Sequence, residues 1–273
     1  MASFKTLKQY GFRYAIGSAL RKAGDDLEYN AGRRRHKPAP FKEYQIKVDD
    51  VSMVLDFGNI PITKPIWQRI EGIREPETTA IIRSLLREGD KVLELGSAFG
   101  YFTILMATSV GKSGTVLGIE GLPEYFKILT RNIERNKAKN VELMNAFVGS
   151  NADFIDFEPE ATSPYNSIND YKSGKATIYA GNKISVECID LQQILNEKNY
   201  HPTHIFMDIE GFEVEAIEQL SKAYLRKHCP VIVFEHHEKF YDAGKGLDYL
   251  KSLLAACGYN TRRIYDNIIA FKD

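Results

Sequence analysis

The stretch Val92-Leu-Glu-Leu-Gly-Ser-Ala-Phe-Gly-Tyr-Phe-Thr103, followed by Gly114-Thr-Val-Leu-Gly-Ile-Glu120, decides the fold. Val92 to Leu95 is a short apolar run bounded by Asp90 and Gly96, which fits a strand covered on both faces, as in a parallel sheet. Gly96 and Gly100 let the backbone turn sharply and lie against a ligand with no Cβ in the way. Amides freed at the start of the next helix, Tyr101 to Ser109, face that ligand. Glu120 ends the second apolar run about 20 residues beyond the turn, where a carboxylate accepts both hydroxyls of a ribose. Together these segments read as a βαβ unit built around a nucleoside.

The pattern is Glu-x-Gly-x-x-x-Gly, not the Gly-x-Gly-x-x-Gly of dinucleotide sites, and Ala98 holds the place where a pyrophosphate needs bare backbone. An acid before the turn also repels phosphate, whereas it welcomes the ammonium of a methionine and tolerates a sulfonium. S-adenosylmethionine meets these demands better than NAD does. Glycine turns alone are common, so the two spaced acids, Glu94 and Glu120, carry the reading.

With 273 residues, 44% of them hydrophobic, the chain can bury the core of one enzyme domain. Lys+Arg and Asp+Glu both number 36, so no overall charge recruits nucleic acid. The three cysteines, Cys188, Cys229 and Cys257, are odd in number and far apart, as suits reduced thiols packed as small core residues. No signal peptide pattern or membrane-length apolar run is present, and a cytoplasmic location is expected.

Residues 1–40 form a basic, helical extension, with Leu7, Tyr10 and Tyr14 at helical spacing; it is either a cap on the main domain or an interfacial helix at a membrane surface. Residues 41–74 begin with an alternating stretch, Tyr44 to Phe57, that reads as a small hairpin around Asp49-Asp50. Residues 75–273 form the catalytic domain. Within it, helices are expected over Pro76 to Leu86, Pro123 to Asn136, Leu191 to Lys198, Val214 to Leu225 and Leu247 to Cys257. Strands are expected over Val141 to Val148, Ile184 to Ile189, His204 to Ile209 and Val231 to Glu235, with Tyr259 to Ile264 and Ile268 to Phe271 as a closing pair. Residues 151–180, rich in Ser, Asn, Asp and Pro, interrupt the alternation as an insertion of the kind that forms lids and binding loops; only Asp153 to Phe157 reads as a strand there.

Four apolar strands end in an acid: Glu94, Glu120, Asp208 and Glu235. In an open α/β sheet ligands bind outside the carboxyl ends of the strands where strand order reverses. An order of second, first, fourth, fifth would line these acids along one rim of roughly 15 Å, at ~4.8 Å per strand. In Asp208-Ile-Glu-Gly-Phe-Glu213, Asp208 and Glu210 are placed for chemistry, while Glu213 and Glu215 fall in the first turn of a helix and read as structural. Glu235-His236-His237-Glu238 adds a base that titrates near neutral pH. Neighbouring histidines on a strand point to opposite faces, so at most one of the two faces the site unless the strand turns or bulges there. Either could also hold a metal with Glu235, Asp208 and Glu210, but no His-x-x-x-His or Cys-x-x-Cys spacing is present and no metal is expected.

The ordered segments Glu75-Pro-Glu-Thr-Thr-Ala80, Leu93 to Thr103, Asn145-Ala-Phe-Val-Gly149, Val186 to Leu191, Phe206-Met-Asp-Ile-Glu-Gly-Phe-Glu213 and Val231 to His236 resemble the FkbM family of class I S-adenosylmethionine-dependent methyltransferases. The resemblance runs from about Glu75 to Phe271, and Asp-x-Glu-Gly-x-Glu is its most specific part. It implies a Rossmann-like α/β fold: a seven-stranded, mostly parallel sheet with an antiparallel final strand and helices on both faces. It also implies that Glu94, Gly96, Ser97, Phe99 and Gly100 surround the methionine end of the cofactor, with Glu77 approaching from the preceding helix. Glu120 would hold the ribose, and Asn145 with Ala146 would lie near adenine. Asp208, Glu210, Glu235 and His236 would surround the acceptor, with His236 or Asp208 as base. Met207 stands where the family usually has a lysine, and Glu94 replaces the commoner aspartate. The resemblance implies O-methylation of a hydroxyl on a sugar, glycan or other small natural product; N-methylation of a peptide or protein, a dehydrogenase and a non-catalytic nucleoside-binding module are the rivals.

Overall fold

The computed structural model describes residues 43–58, 75–149, 154–157 and 184–273. Strands β1 (Glu43–Val48) and β2 (Val51–Asp56) form an antiparallel hairpin. The chain continues through α1 (Pro76–Leu85), β3 (Lys91–Leu95), α2 (Tyr101–Ser109), β4 (Thr115–Glu120), α3 (Pro123–Arg135), β5 (Val141–Asn145), β6 (Phe147–Val148), β7 (Phe154–Phe157) and β8 (Ile184–Ile189). It then forms α4 (Leu191–Glu197), β9 (His204–Met207), α5 (Glu213–Ser221), α6 (Tyr224–His228), β10 (Val231–Glu235), α7 (Leu247–Ala256), β11 (Asn260–Ile264) and β12 (Asn267–Phe271).

The central sheet has seven strands in the order β11-β12-β10-β9-β3-β4-β5. Strands β10, β9, β3, β4 and β5 pair in parallel, and β12 runs antiparallel to both β10 and β11. The expected fold class and the expected order of the four acid-bearing strands are both present. Strand order reverses between β3 and β9, which makes their carboxyl ends the topological switch point.

Alternation along the strands sorts side chains to two faces. Val92, Val116, Phe206, Val233 and Ile269 pack with Ile81 and Ile82 of α1, with α2 and α3, and with the buried row Ile46, Val48, Met53 and Leu55 of the hairpin. Leu93, Leu95, Leu117, Ile205, Ile232 and Phe234 pack with α4, α5, α6 and α7 on the other face. Glu94 shares its parity with Val92, so its carboxylate points to the face of α1 and α2. The hairpin is tied down by polar pins as well as apolar contact. Asn132 of α3, wholly buried, accepts from Asp56 N at 2.8 Å and donates to Asp56 O at 2.9 Å and Phe99 O at 2.8 Å. Each such bond contributes about 1 kcal/mol, and losing the buried partner costs more.

Several expected elements differ in detail. The stretch Val141 to Val148 breaks at Ala146, after which β6 leaves the main sheet for a three-stranded one in the order β6-β8-β7. The helix expected over Val214 to Leu225 divides into α5 and α6, because Ala223 (φ −146°) leaves helical geometry. β9 stops at Met207, so Ile209 belongs to the following turn. Cys229 is exposed rather than a core residue, since it caps α6 in a left-handed conformation (φ 51°) at the surface. The expected N-terminal helix and basic linker, and the insertion apart from β7, lie outside the described residues. Among the described residues no helix is long and apolar enough to cross a membrane.

Candidate active site

At the switch point a cleft opens between the sheet and α1 and α2. Its floor follows from register: Glu94, Phe206 and Val233 lie side by side across β3, β9 and β10, and Asp208 and Glu235 follow two residues further along the same face. Gly96, Phe102 and Met106 complete the β3 and α2 side, and Glu75, Thr78 and Ile82 line it from α1. Gly96 adopts φ +86°, and a Cβ there would stand 2.0 Å from Asp208 O. Only glycine therefore lets the β3 turn close against the β9 turn, and this approach brings the two halves of the rim together.

On the β3 side Glu94 is 4% exposed and accepts from Ser97 Oγ at 2.8 Å and Thr103 Oγ1 at 2.5 Å. Burial raises its pKa to about 7, the two hydroxyls working against the rise and the charges of Glu120 and Asp208 adding to it. Glu120 accepts from Ala98 N and Leu122 N, each at 2.8 Å, and burial likewise raises it to about 7. Asn145 Nδ2 donates to Glu120 O (2.7 Å) and Gly121 O (3.1 Å), and Ala146 N donates to Glu120 O (3.2 Å), so both flank the end of β4. Gly100 caps α2, and a Cβ there would stand 2.9 Å from Leu129 Cδ1.

Three expected placements need correction. Phe99 does not face the cleft: its ring is 1% exposed and lies 5.1 Å from Phe57 and 4.7 Å from Tyr125, in the core under the hairpin. Glu77 is not among the residues lining this cleft, where Glu75, Thr78 and Ile82, at helical spacing, supply the α1 side. His236 turns out of the site. Its Nε2 meets Glu238 Oε2 at 2.6 Å, and its backbone N donates to Asp266 O at 2.8 Å, which extends the pairing beyond β10.

His237 takes the place expected of His236. Its Nε2 lies 3.7 Å from Asp208 Oδ1, 3.6 Å from Glu210 Oε2 and 3.9 Å from Glu235 Oε1, while Nδ1 donates to Glu213 Oε1 at 3.0 Å. Glu213, wholly buried, also accepts from Ile209 N (3.2 Å) and Gly211 N (3.0 Å), so it holds both the Asp208–Gly211 turn and the imidazole. Glu210 sits in that turn at φ 50°. Burial by itself would lower the His237 pKa, but the hydrogen bond and charge of Glu213, with the charges of Asp208 and Glu210, raise it to about 10. The surrounding acids thus favour the protonated imidazole in the ligand-free chain. Thr78 and Asn267, joined by a 3.1 Å bond from Asn267 Nδ2 to Thr78 Oγ1, also line the cleft without having been singled out in the sequence. Thr78 was within reach of helical spacing from Glu75; Asn267 enters only through its pairing with Glu235 across β10 and β12.

The sequence family described as the methyltransferase FkbM domain matches residues 94–261, more than half of the chain. The chain belongs to the FkbM methyltransferase family. Curated relatives of this family member match over shorter stretches. A protein-L-isoaspartate O-methyltransferase from Caenorhabditis elegans is 34% identical over 88 residues, 32% of this chain and 38% of that protein. Another, from Methanothrix thermoacetophila, is 42% identical over 74 residues, 26% of this chain and 35% of that protein. The chain thus spans well under half the length of these relatives. Among solved structures, an O-methyltransferase from Bacillus cereus in complex with SAH is 19% identical, with 73% of this chain and 82% of that one covered and a TM-score of 0.47. A methyltransferase FkbM from Methylobacillus flagellatus is 17% identical, with 68% and 45% covered and a TM-score of 0.46.

Proposed function

We propose that this FkbM family member transfers a methyl group from S-adenosylmethionine to the oxygen of a neutral hydroxyl on a sugar, glycan or other small natural product. The observation that carries the reading is one cleft, at the switch point, shared by Glu94 and Gly96 on one side and Asp208 and Glu235 on the other. The residues present fit the donor: Gly96 leaves bare backbone at the β3 turn, Glu94 offers a carboxylate to the amino-acid end, and Glu120 retains lone pairs for ribose hydroxyls. Asn145 and Ala146, beside Glu120, would border the adenine.

When bound, the sulfonium supplies an activated methyl group. The residues must then align the acceptor oxygen and take its proton. The S–CH3 bond breaks as the C–O bond forms, and the hydroxyl proton passes to a carboxylate, leaving a methyl ether and a neutral thioether. Asp208 is placed to take that proton, with Glu210 beside it, since the acids around His237 favour the protonated form of its imidazole.

The acidic acceptor wall also bears on substrate class. Asp208, Glu210 and Glu235 surround one imidazole, and an anionic carboxylate acceptor would meet repulsion there that a hydroxyl would not. The same wall favours a second reading, N-methylation of an amine on a peptide or protein. Labelled S-adenosylmethionine offered with a panel of sugars, amine-bearing peptides and isoaspartyl peptides separates the cases. A base-stable label on sugars is the expected result. A base-labile ester on the isoaspartyl peptide, or label on amines alone, would overturn the hydroxyl assignment.

A further inference from the structure

We infer that Asp208, Glu235 and His237 form a site for one divalent transition-metal ion on the acceptor wall of the cleft. One nitrogen and two carboxylate oxygens, one from each residue, lie within 4.8 Å of one another. His237 Nε2 is 3.7 Å from Asp208 Oδ1 and 3.9 Å from Glu235 Oε1, beyond hydrogen-bond range in both directions. Donors that share an ion at ~2.1 Å stand about 3.0–3.4 Å apart, so the imidazole and the carboxylates would have to draw together by several tenths of an ångström, and the two carboxylates by up to about 1.8 Å, to close around a centre. The imidazole is therefore aimed at both carboxylates at ion-pair distance, longer than a direct hydrogen bond.

The other side of the ring makes the same point. A metal-binding histidine characteristically gives its second nitrogen to a carboxylate, which fixes the tautomer and aims the free nitrogen at the ion. Here Nδ1 is held by Glu213, which is wholly buried and anchored to two backbone amides, so its place does not depend on His237. This arrangement leaves Nε2 as the ligand atom once an incoming ion has displaced its proton. One imidazole with two carboxylates suits a first-row ion with open positions for water or substrate oxygen. Such an ion would border the cleft and lower the pKa of an acceptor hydroxyl bound to it; Asp208 would then serve as a ligand, and the proton it would otherwise take would pass to the neighbouring Glu210. The sequence offered this set only as an alternative that its spacing did not favour, because the members come from the ends of β9 and β10 and the residues just beyond and carry no recognisable metal motif.

The site stands on its donor set and not on the methyl donor, and its test keeps the two apart. Tag-free full-length chain, treated with chelator and dialysed, would be titrated with Co2+ and followed by its visible absorption. We expect one ion per chain, with at least tenfold weaker binding in His237→Ala and in Asp208→Asn. Glu213→Gln should weaken binding about 10–100-fold by releasing the imidazole. Thermal melts of each variant separate loss of the site from loss of the fold. Absence of 1:1 binding tighter than about 100 μM, or binding unchanged in folded His237→Ala, would overturn the site. Calorimetric titration with S-adenosylmethionine in chelator tests the donor half separately.

Discussion

On the ends of β3 and β4, Glu94 and Glu120 are 4% and 7% exposed, and burial outweighs their hydroxyl and amide partners enough to raise both to about 7. On the ends of β9 and β10, the side chains of Asp208 and Glu235 are 36% and 28% exposed and gather around the imidazole of His237, whose second nitrogen is fixed by buried Glu213. The residue type and its place at a strand end are shared by the two halves, but their electrostatics are opposite. One half holds neutral-poised acids that a cationic ligand can ionise; the other holds acids that favour a protonated imidazole. A strand-end carboxylate is thus defined by what its neighbours place opposite it, and the difference supports assigning donor and acceptor to separate halves.

The most damaging way to break the comparison is to separate the halves at their contact. Gly96→Ala places a Cβ against Asp208 O in a left-handed backbone, and we expect it to cost about 3–5 kcal/mol in denaturant unfolding and to abolish turnover. Retention of wild-type stability would show that the two turns are not locked together. Asp208→Asn should lower turnover about 100–1,000-fold while the dissociation constant for S-adenosylmethionine changes less than threefold. Glu94→Gln should do the reverse, weakening donor binding about 10–100-fold in calorimetry through loss of a charge-assisted bond. If both variants altered binding and turnover alike, the division of labour would fail.

A gentler probe is pH. In the ligand-free chain the two buried acids keep protons up to about pH 7, whereas their ordinary value is 4.5, so the native state binds more protons in between. This contribution to stability is fully present below about pH 4.5, falls as pH rises toward about 7 and is level above it. Binding an ammonium needs the charged form, so donor affinity should weaken as pH drops below about 7, by up to about tenfold per unit from Glu94, and Glu94→Gln should flatten that profile. The smallest expected effect is Phe99→Leu, which should cost about 1 kcal/mol in stability with donor affinity unchanged within twofold, because the ring packs in the core. A tenfold loss of affinity would return Phe99 to the cofactor side.

Much of the donor half was legible because it is local. Glu94, the glycine turn and Glu120 lie on one βαβ unit whose alternation and breakers state strand, turn and strand in order. The misplacements came where facing depends on distant partners. Phe99 was drawn into the core by the hairpin ring Phe57, and Glu77 was misplaced because only the packed stripe of α1 tells which side of that helix meets the sheet. Alternation correctly limited the adjacent histidines to one in the site but could not choose between them. The choice was made by His236 N bonding to Asp266 O beyond β12, a contact 30 residues away in sequence, and by Glu213 reaching His237 from α5.

The sequence by itself determined the α/β class, the glycine turn after β3 and a set of acids at strand ends, since hydrophobic period and backbone freedom are properties of neighbouring residues. Only the tertiary structure decided that Asn267 and Thr78 close the cleft, that Phe99 turns into the core, and that His237 rather than His236 meets Asp208 and Glu235. Those outcomes depend on strand order and on where buried Glu213 aims an imidazole, and both arise from packing between segments that are remote along the chain.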